Sequence, residues 1–250
     1  MSKKAPGNTA SRTGWPDVVQ GLEDYLLYLR DEGVREVEAD PEQVRRLSEP
    51  PVAPAPAEDA TLADGLAGIA ERVTACTLCP LHKSRTRTVP GQGSITPEIF
   101  FIGEGPGADE DRQGLAFVGR AGQLLTKIIE AMGLTREQVF IGNIVKCRPP
   151  GNRTPLPEEM QACLPYLREQ IAILKPRVIV GLGATAVKGL LEVETGITRL
   201  RGRWMSYEGI DLMPTFHPAY LLRNPAGKRE VWEDMKAVLA RLGRTPPPRT

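Results

Sequence analysis

Four short apolar runs recur along the chain, each bounded by polar or turn-forming positions: EIFFIGE at 98–104, VFIGNIVKC at 139–147, RVIVGLG at 177–183 and DLMPTFHP at 211–218. Runs of this length, rich in Val, Ile and Phe, read as buried strands. Apolar positions recur at helical spacing near 120–132, 156–174, 184–192 and 228–242. The alternation predicts an α/β fold, three-layer α/β/α, with a central, mainly parallel four-stranded sheet covered on both faces. Ligands of such sheets sit beyond the carboxyl ends of the strands. Three of the four runs end there in a polar signature: GEGPG, NIVKCRP and FHPAY.

Upstream, Val18, Val19, Leu22, Tyr25, Leu26 and Leu29 fall at helical spacing and predict one amphipathic helix that needs a surface to lie against. The segment PPVAPAPAED at 50–59 has no periodicity and reads as a semi-extended linker. The expected organisation is therefore an N-terminal extension over residues 1–60 and one catalytic domain over 61–250.

Composition narrows the class. With 250 residues and 41% apolar content the chain can bury one ordinary core and an appendage. It contains no run of eighteen apolar residues, and its start lacks the apolar core of a secretory signal, so a cytoplasmic protein without a membrane span is expected. The net charge of +1 conceals an uneven distribution. Residues 15–60 hold 12 acidic and 4 basic side chains, whereas residues 61–250 hold 25 basic and 19 acidic ones. A modestly basic body suits a phosphate-backbone partner, although an ordinary solvated surface has the same composition.

The four cysteines are spaced as Cys76-x2-Cys79 followed by Cys147 and Cys163. In a cytosolic chain this pattern argues for a four-thiolate metal site rather than disulfides. Zinc and a [4Fe–4S] cluster both accept four thiolates, and spacing does not choose between them. The stretch GEGPGADEDRQGLAFVGRAGQLL at 103–125 places glycines after a strand and a run of carboxylates next to them. It is neither a Walker loop nor a dinucleotide fingerprint, and its Glu104, Asp109, Glu110 and Asp111 would repel a phosphate. Only two histidines occur. His217 stands where Pro218 ends a strand, so its imidazole can point across the sheet end, while His82 follows CTLCPL and reads as a packed or cluster-adjacent residue.

Taken in order, the CxxC at 76–79, GEGPG with its trailing ED at 103–111, FVGRAGQLL at 117–125, NIVKCRPPGNRTP at 143–155, Cys163 and HPAYLLRNP at 217–225 resemble the family 4 uracil-DNA glycosylases, the iron–sulfur branch of the uracil-DNA glycosylase superfamily. The resemblance runs from about Leu62 to Leu242 and leaves the first 60 residues aside. It implies that Cys76, Cys79, Cys147 and Cys163 hold a [4Fe–4S] cluster. It implies further that Phe117 stacks on a flipped uracil and Asn143 reads its edge, with Gly105 among the base-binding residues. Glu110 would position the water and stabilise the sugar cation, with Glu104 as the alternative or as a wall of the uracil pocket. His217 would donate to uracil O2. Leu221, Leu222 and Arg223 would supply the wedge that fills the gap in the base stack.

The expected partner is uracil-containing DNA, with the protein acting as a monomer. No lysine stands in a pocket motif except Lys146, so the expected enzyme is monofunctional and leaves an abasic site. The rival reading is a non-catalytic iron–sulfur DNA-binding domain of the same superfamily, against which Glu110, Asn143 and His217 argue. A relative that traps the sugar through a histidine would need that residue in RPPGNRTP, which contains none. A zinc-bound structural module is the third alternative.

Overall fold

The computed structural model describes residues 24–25, 27–34 and 57–248. The chain divides between Pro54 and Ala55 into two units. In the first, residues 24–25 and 27–31 are helical; Tyr25 and Tyr28 are exposed there and Leu29 is half-buried. Val18, Val19, Leu22 and Leu26 of the predicted stripe lie outside the described residues.

The second unit carries strands β1 (Gln92–Gly93), β2 (Ile99–Gly103), β3 (Phe140–Asn143), β4 (Val178–Leu182), β5 (Met205–Tyr207) and β6 (Ile210–Thr215). Its α-helices are α1 (Ala57–Ala75), α2 (Ala108–Gln113), α3 (Arg120–Ala131), α4 (Pro157–Leu174), α5 (Ala184–Leu191), α6 (Ile197–Leu200), α7 (Pro218–Arg223) and α8 (Gly227–Arg241). The strand order is β1-β3-β2-β4-β6-β5. β3, β2, β4 and β6 are mutually parallel and correspond to the four predicted runs, and β1 and β5 add antiparallel edges. The sheet is therefore mixed and six-stranded rather than four-stranded.

The two edges escaped the periodicity because they are two and three residues long. β5 and β6 form a hairpin through Glu208 and Gly209, both at positive φ, 49° and 84°. Such a two-residue turn matches strand twist but is usually announced by Asn-Gly rather than Glu-Gly. Helix α1 begins at Ala57, inside the stretch that composition assigned to the linker. Ala, Glu and Leu favour helix strongly enough to end the Pro-rich segment there.

Side chains alternate across β2: Ile99 and Phe101 pack with Leu125 and Ile129 of α3 and Val238 and Leu239 of α8. Phe100 and Ile102 pack with Leu167 and Ile171 of α4 and Leu190 of α5. Period-two alternation between two apolar layers is what a sheet buried on both faces requires. α1 lies on α4, held by the Arg72–Glu169 ion pair, and thickens that layer. Because β3 leaves β2 on one side and β4 on the other, the chain reverses its winding at β2, and a crevice opens at the carboxyl ends of the strands. No described helix is long and apolar enough to cross a membrane.

Candidate active site

The crevice is a cavity of about 430 Å³, within the range that holds a nucleotide-sized ligand. Glu104, Gly105, Glu110, Phe117, Asn143, His217 and Arg223 all line it. They arrive from three strand ends: after β2, at the last residue of β3, and after β6.

Asn143 is 1% exposed, and its Oδ1 has no hydrogen-bond partner. An orphaned buried acceptor costs roughly 1–3 kcal/mol, a cost that a bound donor would relieve. Directly across the parallel ladder stands Gly103. A Cβ there would come within 2.5 Å of both Asn143 Oδ1 and Phe117 Cζ, so glycine is what keeps the space between amide and ring open. The sequence marks Gly103 only as one glycine of the GEGPG motif; its particular role follows from the register of β2 against β3, which one sequence does not display.

Phe117 sits at φ 53°, the left-handed region, which is unfavourable for a bulky residue by roughly 1–2 kcal/mol. Its ring is 5.7 Å from that of His217, tilted by 36°, so the two form adjoining walls. Glu110 anchors the loop between α2 and α3. Its Oε2 accepts from Gly107 N (3.1 Å), and its Oε1 accepts from Val118 N (2.9 Å) and Gly119 N (2.8 Å). Glu104, by contrast, has no side-chain hydrogen bond or ion pair among the described residues, although it borders the same cavity.

His217 caps α7, its Nδ1 accepting from Ala219 N at 3.1 Å. That bond fixes the tautomer with the proton on Nε2. Burial, assisted by the nearby Arg223 charge, pushes the imidazole down to about 4, so the ring is a neutral donor at physiological pH.

Of the three residues expected to form the wedge, Leu221 is 1% exposed and packs with Phe216 and Val231. Residues 218–223 form a helix, and 221 lies one turn from the buried Pro218 on its inner face. Tyr220 and Leu222, 38% and 40% exposed, face outward instead.

Cys76, Cys79, Cys147 and Cys163 line a second, small cavity between α1, α4 and the loop after β3. Arg85 Nη1 donates to Cys147 Sγ (3.2 Å), and the Lys146 amide donates to Cys163 Sγ (3.3 Å). Burial pushes the free thiols of Cys79, Cys147 and Cys163 up, the last to about 11. Among the described residues no group of three or more His, Cys, Asp or Glu side chains closes on a single metal ion. His82 is adjacent, its Nδ1 2.8 Å from the Cys79 carbonyl oxygen. The fully buried Lys146 points away from the nucleotide-sized cavity, its ammonium donating to Asn143 O (3.0 Å) and Gln170 Oε1 (2.6 Å).

A doubly wound sheet with a glycine-lined crevice and an inward-facing amide, ring and imidazole defines a class, and residues 90–236 match the family model described as the uracil DNA glycosylase superfamily. The chain is 50% identical over 174 residues to the type-4 uracil-DNA glycosylase of Thermotoga maritima, covering 67% of this chain and 90% of that protein. It is 46% identical over 173 residues to that of Pyrobaculum aerophilum, covering 66% and 88%, and 46% identical over 184 residues to that of Sulfurisphaera tokodaii, covering 70% and 84%. The chain belongs to the type-4 uracil-DNA glycosylase family.

Proposed function

We propose that the protein hydrolyses the bond between uracil and deoxyribose in DNA, releasing uracil and leaving an abasic site. The observation that carries this reading is the unpartnered Oδ1 of Asn143, buried beside the Phe117 ring in the strand-end cavity. An amide in that setting accepts from uracil N3–H through its oxygen and donates to O4 through its nitrogen. Cytosine presents the reverse pattern and would leave polar groups unpaired, which discriminates strongly.

The target nucleotide leaves the duplex and its base stacks on Phe117. As the C1′–N1 bond lengthens, its electron pair moves onto uracil and positive charge grows on the sugar. The Nε2–H of His217 donates to O2 where the negative charge collects. Glu110, held by three backbone amides, presents its charge to the sugar and accepts from the attacking water through the free side of Oε2. Glu104 forms the neighbouring wall. Water oxygen bonds to C1′, and its proton ends on the departing base. Leu222 and Arg223 of the expected wedge, with the exposed Tyr220 beside them, fill the gap in the base stack.

The four cysteines fit a [4Fe–4S] cluster: all four line one small cavity, and the sulfurs of the buried Cys147 and Cys163 accept N–H donors there. Such a group would supply four iron–thiolate bonds that tie the loop after β3 to α4 and to the 76–79 turn. Lys146, hydrogen-bonded away from the cavity, offers no Schiff-base nucleophile, in keeping with a monofunctional enzyme.

The test is single-turnover cleavage of matched oligonucleotides bearing uracil or cytosine. The parent protein should release uracil alone, and Asn143→Asp should lose uracil excision and gain measurable activity on cytosine. Absence of uracil release by the cluster-loaded parent would leave the non-catalytic DNA-binding reading in its place.

A further inference from the structure

We propose that Arg136, which lies outside every motif of the family resemblance, is the positioning residue of the base-stacking surface: its guanidinium holds the Phe117 peptide in the left-handed conformation that turns the ring into the cavity. The proposal rests on the reading of Phe117 as the face on which uracil stacks.

Arg136 opens the 3-10 turn Arg136–Gln138 that leads into β3, nineteen residues beyond Phe117. Its side chain is half-buried and spends its donors on one short stretch of backbone. Nη1 donates to Phe117 O (3.1 Å) and to Thr126 Oγ1 (3.1 Å), and Nη2 donates to Ala116 O (2.7 Å). Two consecutive carbonyls are thus gripped by one planar fork, a geometry that the single ammonium of lysine does not reproduce.

The grip falls where the backbone needs it. Phe117 is at φ 53°, a region that bulky side chains avoid, so the conformation persists only if neighbours fix it. Glu110 fixes the far side through the amides of Val118 and Gly119. Arg136 fixes the near side through the carbonyls of Ala116 and Phe117. Gly122 completes the seat, since a Cβ there would overlap the Phe117 carbonyl. Thr126 Oγ1 in turn donates to Gly122 O at 3.1 Å, which joins the guanidinium to the first turns of α3. The ring is held from both ends of its own peptide, while Arg136 itself does not line the cavity.

The experiment is a double-mutant cycle on the cluster-loaded full chain, with Arg136→Met, Phe117→Ala and the pair. Single-turnover excision from a uracil oligonucleotide is measured across enzyme concentration, and thermal melting is recorded for each variant. Phe117→Ala should raise the half-saturating concentration about tenfold or more, the scale of one lost base–aromatic stack. Arg136→Met should raise it about tenfold in the parent and leave it unchanged in the Phe117→Ala background. Arg136→Lys, which keeps the charge without the fork, should fall between parent and Met variant, and it replaces the Met variant in the cycle if that one fails to fold.

A parent-like Arg136 variant, or a loss of equal size in both backgrounds, would overturn the positioning role while leaving the stacking reading intact. An unaffected Phe117→Ala would remove the stacking reading, and the proposal with it.

Discussion

Gly103 and Asn143 face each other at the ends of two parallel strands, and a single methyl group on Gly103 would come within 2.5 Å of the Asn143 amide oxygen. The base-reading group and the absence of a side chain beside it are one feature of the site. Gly103→Ala should lower uracil excision on the order of a hundredfold, because the Asn143 amide and the Phe117 ring must shift to admit the new carbon. Stability should fall by about 1–3 kcal/mol, as for other overpacked positions. Single-turnover rates with denaturant melts of the same variant check both, and an unchanged rate would mean that the slot is not used.

The two carboxylates of the cavity should separate by what they do to the fold. Glu110→Gln replaces one acceptor oxygen with a donor facing backbone N–H groups. It should therefore cost roughly 1–3 kcal/mol of stability as well as activity. Glu104 has no such ties, so Glu104→Gln should affect excision without moving the melting temperature. Parallel melts and rate assays make the comparison. Equal melting temperatures for the two variants would contradict the anchoring role of Glu110.

His217 gives a prediction in pH. Its folded value near 4 lies below the ordinary 6.5, so the unfolded chain binds the proton more readily. The native state therefore loses stability as pH falls from about 6.5 toward 4, and the contribution is fully present above that window. As a neutral donor the ring should place no inflection in the excision rate between about pH 5 and 8. His217→Ala should lower the rate on the order of 10²–10³ uniformly across that range. An inflection near pH 6.5 that vanishes in the variant would show instead that a charged imidazole is needed.

Cys147→Ala should lose iron and melt at lower temperature without changing the choice between uracil and cytosine. Iron determination, the absorbance near 400 nm and the two-substrate assay together decide it. Full iron content in the variant would remove Cys147 from the ligand set.

Division of labour along the chain is tested by truncation. A chain starting at Ala55 keeps all of α1 and should retain excision within about twofold. One starting at Leu62 cuts into that helix and should be less stable. Loss of folding in the longer form would assign the first 54 residues to the core of the catalytic unit.

The four parallel strands and the long helices packed on them were legible because burial on both faces forces continuous apolar runs, and an amphipathic helix repeats every 3.6 residues. The two edge strands were not, being too short for a period to show and needing only backbone partners. The same division holds at the site. Glu104, Glu110, Phe117, Asn143 and His217 stand in local motifs, and the sequence alone was enough to single them out and to suggest the four cysteines as one ligand set. It named Leu221, Leu222 and Arg223 together as the wedge, because a motif does not state which face of a six-residue helix turns inward; packing against Phe216 and Val231 is what turns 221 inward. Gly103 acquires meaning only when β2 and β3 lie in register, and Arg136 only when a turn nineteen residues away folds back onto the Phe117 carbonyl. Residue types and their spacing determined the chemistry that is present, whereas the close approach of distant backbone segments, which no local pattern encodes, decided the shape of the slot and what holds it open.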